Sequence, residues 1–198
     1  MVVQTAGSIK RITFVPPADA GQDHKKTSTT KILLPEVVEV VWNNGNVCRI
    51  VPSEIGKGES RDVLGGTLAG TDQEWGYVLK VQHVRYHQNS NKYEYELGTG
   101  ALESVTPQMF GWAIFPYQSC WGTDMLSVMV VSRVPKTMHA ELLDIFEKPA
   151  SKVLARVLLA HVCAIIQLLV KVGGDLRTRP PKDLHTENIG VTSDNGVV

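Results

Sequence analysis

Twenty residues, Val153 to Val172, constrain this chain more than any other stretch. A nearly unbroken run of Val, Leu, Ala and Ile of that length suits either a helix buried in a protein core or a membrane span. Arg156, His161, Gln167 and Lys171 interrupt the run, and each is costly at the centre of a bilayer. The expected outcome is a buried core helix, capped by Ser151 and stopped at Gly173-Gly174, with no membrane partner.

Charge narrows the partners further. Twenty basic residues balance twenty acidic ones, so the formal net charge is zero. That removes the electrostatic argument for nucleic acid or an anionic membrane surface. At 198 residues the chain is long enough for one domain or two small lobes with a real core. Its three cysteines, Cys48, Cys120 and Cys163, are widely spaced and form no CxxC. They argue for a reducing compartment, and a cytoplasmic location is expected. Met1 to Phe14 lacks the continuous apolar run of a signal peptide.

The first two thirds of the chain read mostly as strands. Ser8 to Val15 has strand character and ends at Pro16-Pro17, and Ala18 to Thr30 reads as a mobile loop or linker. Ile32 to Trp42 and Val47 to Val51 flank Asn43-Asn44-Gly45-Asn46, an Asn-Gly turn between β-branched runs that predicts a hairpin. Gly56-x-Gly58, with Val63 five residues on, lies between two further strand-like segments. Glycines at such a bend let backbone N–H groups approach a phosphate with no Cβ in the way.

Lys80 sits seventeen residues past Val63, inside the apolar run Gly76 to Val81. Behind a glycine loop, a strand lysine is placed to reach nucleotide phosphates. A helix is expected from Tyr93 to Leu102, weakened by Gly98 and Gly100. One of Glu94 or Glu96 would pair with Lys80, and Glu94 is preferred because its register puts it on the face of the apolar stripe. Leu126 to Val134 is a further apolar strand halted by Pro135, and Thr137 caps a short helix ending near Lys148-Pro149. Last comes Asp183-Leu184-His185-Thr186-Glu187-Asn188, leading into the apolar Ile189-Gly190-Val191. In a phosphotransferase catalytic loop the Asp of such a segment accepts the proton of the attacking hydroxyl, and the Asn carries a metal ion.

Taken together, and in this order, these residues resemble the protein kinase-like superfamily, its atypical and minimal members in particular. The resemblance covers roughly residues 49–198. It implies an α+β fold with an antiparallel sheet and one helix in the first lobe, and a shortened, mainly helical second lobe. Residues 1–48 would form an N-terminal extension with strands and a mobile loop, residues 49–134 the first lobe and hinge, and residues 135–198 a partial second lobe with the catalytic loop. ATP would lie with its adenine against the Val131 to Val134 hinge, beside Arg133. Gly56, Gly58 and Val63 would cover it, Lys80 would contact the α and β phosphates, and Glu94 would orient Lys80. Asp183 would be the catalytic base. Asn188 would bind Mg²⁺, with Asp194 as a substitute ligand.

Four departures bear on activity. Arg61 replaces the usual third glycine of the loop, Pro181 stands where a histidine is usual, and His185 stands where many protein kinases have lysine. The family's Asp-Phe-Gly metal ligand is expected about a dozen residues after Asn188, whereas the chain ends at Val198. Either the chain is truncated, or Asp194 substitutes, or metal-dependent catalysis has been lost. The leading expectation is transfer of the ATP γ-phosphate to a protein Ser/Thr hydroxyl. The rivals are a pseudokinase acting as a protein-binding module and, from Leu184-His185, a small-molecule phosphotransferase.

Overall fold

The computed structural model describes residues 4–15, 34–57, 61–84, 89–100, 102–103, 106–119, 122–175 and 189–191. It divides into two compact units, residues 1–96 with 109–132, and residues 97–108 with 133–198.

Alternation of apolar and polar residues builds the first unit. Its strands are β1 (Gln4–Gly7), β2 (Ile9–Val15), β3 (Val37–Trp42), β4 (Val47–Lys57), β5 (Asp62–Leu68), β6 (Tyr77–His83), β7 (Met109–Ser119) and β8 (Gly122–Ser132). They form one antiparallel eight-stranded sheet in the order β1-β7-β8-β6-β5-β4-β3-β2. The expected β3–β4 hairpin is present, with Gly45 at φ 87° in its turn. β1 to β3, from residues read as an N-terminal extension, belong to the same sheet as the later strands.

The two outermost strands, β1 and β2, follow one another in sequence, and β2 also packs against β7. The sheet therefore curls around one apolar interior. Ile12, Val38, Ile50, Leu79, Val128 and Val130 fill it, closed at one side by the Phe14–Phe115 edge-to-face pair at 5.3 Å. On the opposite face Val78, Trp112, Met129 and Val131 form a second buried cluster, against which Val63 and Tyr95 pack. β6 and β8 are thus covered on both faces, which explains why both read as near-continuous apolar runs rather than as clean alternation.

One helix, α1 (Ser90–Gly98), belongs to this part of the chain. It begins earlier than the apolar pattern predicts, because Asn89 caps it: the Lys92 amide donates to Asn89 Oδ1 at 3.2 Å. It ends at the first of the two glycines that weaken its C-terminal half.

The second unit contains α2 (Met138–Phe146), α3 (Lys152–Asp175) and a two-stranded sheet of β9 (Lys136–Thr137) and β10 (Gly190–Val191). Thr137 caps α2 by accepting from the Ala140 amide, and Ser151 caps α3 by accepting from the Leu154 amide, both at 3.2 Å. Met138, Leu168, Ile189 and Val191 form the core, and the Met138 amide donates to the Ile189 carbonyl at 2.7 Å. Among the described residues, then, strands outweigh helices: eight in the large sheet against three helices in all.

Two expectations for α3 need correction. Gly173-Gly174 do not stop it, and the helix runs on to Asp175; a helical glycine costs about 1 kcal/mol but does not forbid the conformation. Nor is it a buried core helix. Only a narrow stripe through His161, Ile165 and Leu168 is covered, while Val153, Leu159 and Val170 are each more than 60% exposed. Among the described residues of this unit, α2 is the helix it packs against, so one side is shielded and the rest is not. By length and composition alone α3 would also cross a membrane.

Candidate functional site

Register, rather than sequence proximity, assembles the site in the first unit. Val63 on β5 pairs with Lys80 on β6, and Lys80 pairs with Met129 on β8. Directly paired residues share a face, so Val63, Lys80 and Met129 form a row on the face that carries Tyr95 of α1. Arg61 lies two residues before Val63 and reaches the same face.

Glu94 on α1 meets this row. Its two carboxylate oxygens take different cations: Oε1 accepts from Lys80 Nζ and Oε2 from Arg61 Nη1. The three side chains are 25%, 27% and 30% exposed for Glu94, Lys80 and Arg61, so the cluster is shielded from bulk water without being sealed. Burial alone would raise the Glu94 carboxyl; the Lys80 ammonium and the Arg61 guanidinium outweigh it and hold the group below the ordinary glutamate value. The other helix carboxylate, Glu96, is exposed and reaches Lys92 at 3.9 Å one turn away.

A buried polar network holds strand and helix together beneath this cluster. Asn91 is fully buried, and its amide nitrogen donates to the Lys80 carbonyl at 2.9 Å and the Ser127 carbonyl at 3.0 Å. Ser127 Oγ donates to Asn89 Oδ1 at 2.7 Å, and the Ser90 amide donates to Gln82 Oε1 at 3.1 Å. The first turn of α1 is therefore bonded to both β6 and β8. Asn91 precedes Glu94 by three residues, so the two lie on one face of the helix, one fixing the backbone of Lys80 and the other its ammonium.

Sequence reasoning missed Asn91, Gln82 and Ser127, and treated Arg61 only as a replacement for the loop's third glycine. Strand alternation back from Val63 would have found Arg61. No comparable signal marks Asn91, one of three polar residues at the start of a helix.

The other expected site residues are placed as follows. Gly56 lies in β4 at a bulge opposite Val63. A Cβ there would meet Val63 Cβ at 3.7 Å, an ordinary contact, so packing does not demand glycine. Arg133 follows β8 directly, in the second unit, and is half-buried. Gly58, Asp183, Asn188 and Asp194 lie outside the described residues, as do Pro181, His185 and the Ala18 to Thr30 stretch read as a linker.

The second unit carries its own charged cluster. Lys136 bridges Glu141 and Asp144, the latter at 2.8 Å, and His161 Nε2 lies 3.4 Å from Glu141 Oε1. Hydrogen bonding to Lys136 lowers both carboxyls below their ordinary values. Among the described residues no group of three His, Cys, Asp or Glu side chains is arranged to hold a metal ion.

No protein-family model matches the chain, and no curated protein matches it. Among solved structures it is similar to the ROP18 kinase domain in complex with AMP-PNP and sucrose, with 11% identity and a TM-score of 0.47. The match covers 78% of this chain and 51% of that one, so the chain spans about half the length of that kinase domain.

Proposed function

We propose that this chain is a kinase-like protein that binds ATP and transfers its γ-phosphate to a protein Ser/Thr hydroxyl. One observation carries the reading: a lysine in the middle of an antiparallel sheet is paired with a helix glutamate, next to the strand that follows a glycine hairpin. A lysine held this way presents a fixed positive charge to phosphate oxygens, and the glutamate, kept ionised, prevents the ammonium from folding back. Val63, half-buried, and Met129, fully buried, flank Lys80 and pack the sheet beneath it. In this reading Gly56 matters for what approaches it rather than for its own packing.

The remaining roles follow from the order of motifs in the sequence. Asp183 accepts the substrate hydroxyl's proton, and Asn188 and Asp194 would hold Mg²⁺, whose charge would offset that of the phosphates. The chemistry is positioning and charge stabilisation, so loss of one holder weakens transfer without unfolding the chain. The test is transfer of labelled γ-phosphate to generic protein substrates by the full chain, Lys80→Ala and Asp183→Asn. A loss of roughly a hundredfold or more in both variants, with unchanged circular dichroism, supports the assignment. Activity that survives Asp183→Asn sinks it.

A second reading is favoured by Arg61, which occupies the Glu94 oxygen that Lys80 leaves. In a pseudokinase the same cluster would hold the lobe together for protein binding, and no variant would show Asp183-dependent transfer.

A further inference from the structure

We propose that Arg61 is a second phosphate-binding cation, acting with Lys80 on the polyphosphate chain of a nucleoside di- or triphosphate. The inference rests on the nucleotide-binding reading above and assigns it a ligand contact that the motif order does not supply. Three observations lead to it.

The first is charge. One carboxylate, Glu94, faces two cations, so the cluster keeps one formal positive charge on side chains that are largely shielded from water. Among the described residues, Asp62 stands on the other face of the sheet, paired with Val81 of the interior, and Glu96 is turned to Lys92. A half-buried excess charge of this kind is stabilised by an incoming anion.

The second is chemistry. A guanidinium has five N–H donors in a planar fork, more than one carboxylate oxygen can take up, and that fork matches a phosphate's oxygens. The third is position. Arg61 stands immediately before β5, whose first residue, Asp62, pairs with Lys57 at the end of β4. It thus rises from the glycine-hairpin end of the sheet while sharing a face with Lys80. An anion bridging the two cations replaces the Arg61–Glu94 contact and leaves Glu94 to Lys80 alone. Because both cations contact phosphate oxygens directly, this part of the affinity does not depend on a divalent ion.

Isothermal titration of the full chain with ATP, inorganic tripolyphosphate and adenosine, in EDTA, tests this on the native protein, Arg61→Ala and Arg61→Lys. The expected result is binding of ATP and tripolyphosphate in EDTA, weakened about tenfold or more in Arg61→Ala and partly restored in Arg61→Lys. Melting curves for both variants identify a folding defect, and Arg61→Lys keeps the charge if the alanine variant is unstable. Equal or tighter binding of both anions by Arg61→Ala overturns the inference and leaves the nucleotide reading intact. Arg61-dependent binding of tripolyphosphate, with ATP no tighter and adenosine unbound, supports the anion site and removes the nucleotide reading. Binding of neither anion in EDTA overturns the inference, and a second titration of ATP with Mg²⁺ decides the nucleotide reading: binding there keeps it, and no binding removes it as well.

Discussion

Asn91 reaches across from the first turn of α1 to donate to the backbone carbonyl of Lys80 at 2.9 Å. The lysine whose ammonium meets Glu94 is therefore also anchored at its main chain by a residue one helical turn earlier. Helix and strand are joined twice over the same pair of positions, once by a neutral buried hydrogen bond and once by an ion pair.

Replacing Asn91 with alanine should separate these two connections. The substitution removes the donor to two buried carbonyls, those of Lys80 and Ser127. An unsatisfied buried polar group costs about 1–3 kcal/mol, so the urea midpoint should fall by that equivalent with an unchanged m-value. If ATP binds as proposed, its affinity should fall as well, because Glu94 loses its fixed height over β6. A midpoint within 0.5 kcal/mol (roughly the effect of an ordinary surface substitution) would mean that the network contributes nothing to stability.

How much of this was legible in the sequence depends on the range of the signal. The β3–β4 hairpin was readable because Asn44-Gly45 states its turn locally, and the Thr137 and Ser151 caps because capping is a three-residue event. The pairing of Lys80 with Glu94 followed from two periodicities, a strand's and a helix's, and both are local. Arg61 was read only as a missing glycine, although alternation back from Val63 puts it on the face of Lys80, and Asn91 escaped notice because its partners lie on two different strands. α3 misled for a different reason. Composition reports that a helix is apolar, but burial depends on what is available to cover it.

The Glu94 carboxyl should leave a signature in acid. Its folded-state value is depressed by Lys80 and Arg61 in spite of burial, relative to an ordinary value of about 4.3 in the unfolded chain. A depressed carboxyl contributes stability that is present above the unfolded value and is lost as pH falls through the folded one. Melting temperature should therefore drop as pH falls from about 4.5 downward, and less steeply in Glu94→Gln. Glu39, Glu141 and Asp144 are lowered too and set the residual slope. Identical slopes in the two proteins would show that the cluster is not formed in solution.

Gly111 offers a test of the sheet's edge. It pairs with Gly7 where β1 closes on β7, at φ 150°, and a Cβ there would collide with the Ala6 carbonyl oxygen. Backbone cannot yield as a flexible side chain would. Gly111→Ala should cost about 1–3 kcal/mol, read as a lowered denaturation midpoint. Gly70, with nothing within 4 Å of a built Cβ but φ 80°, should lose less on the same change because it carries conformational strain alone. Equal losses at the two positions would show that β1 is not docked on β7.

The uneven covering of α3 predicts a contrast within one helix. Leu168 is 7% exposed and packs with Met138 and Ile189, whereas Leu159, nine residues earlier, is 63% exposed. Truncating a buried leucine to alanine costs about 2–5 kcal/mol, through lost transfer energy and the cavity left behind. An exposed leucine has little of either to lose, and alanine is the better helix former, so Leu159→Ala should shift stability by about 0.5 kcal/mol or less. Urea denaturation of the two variants measures the difference directly. A large loss at Leu159 would mean that its face of α3 is covered in solution, and would restore the buried helix that the sequence by itself suggests.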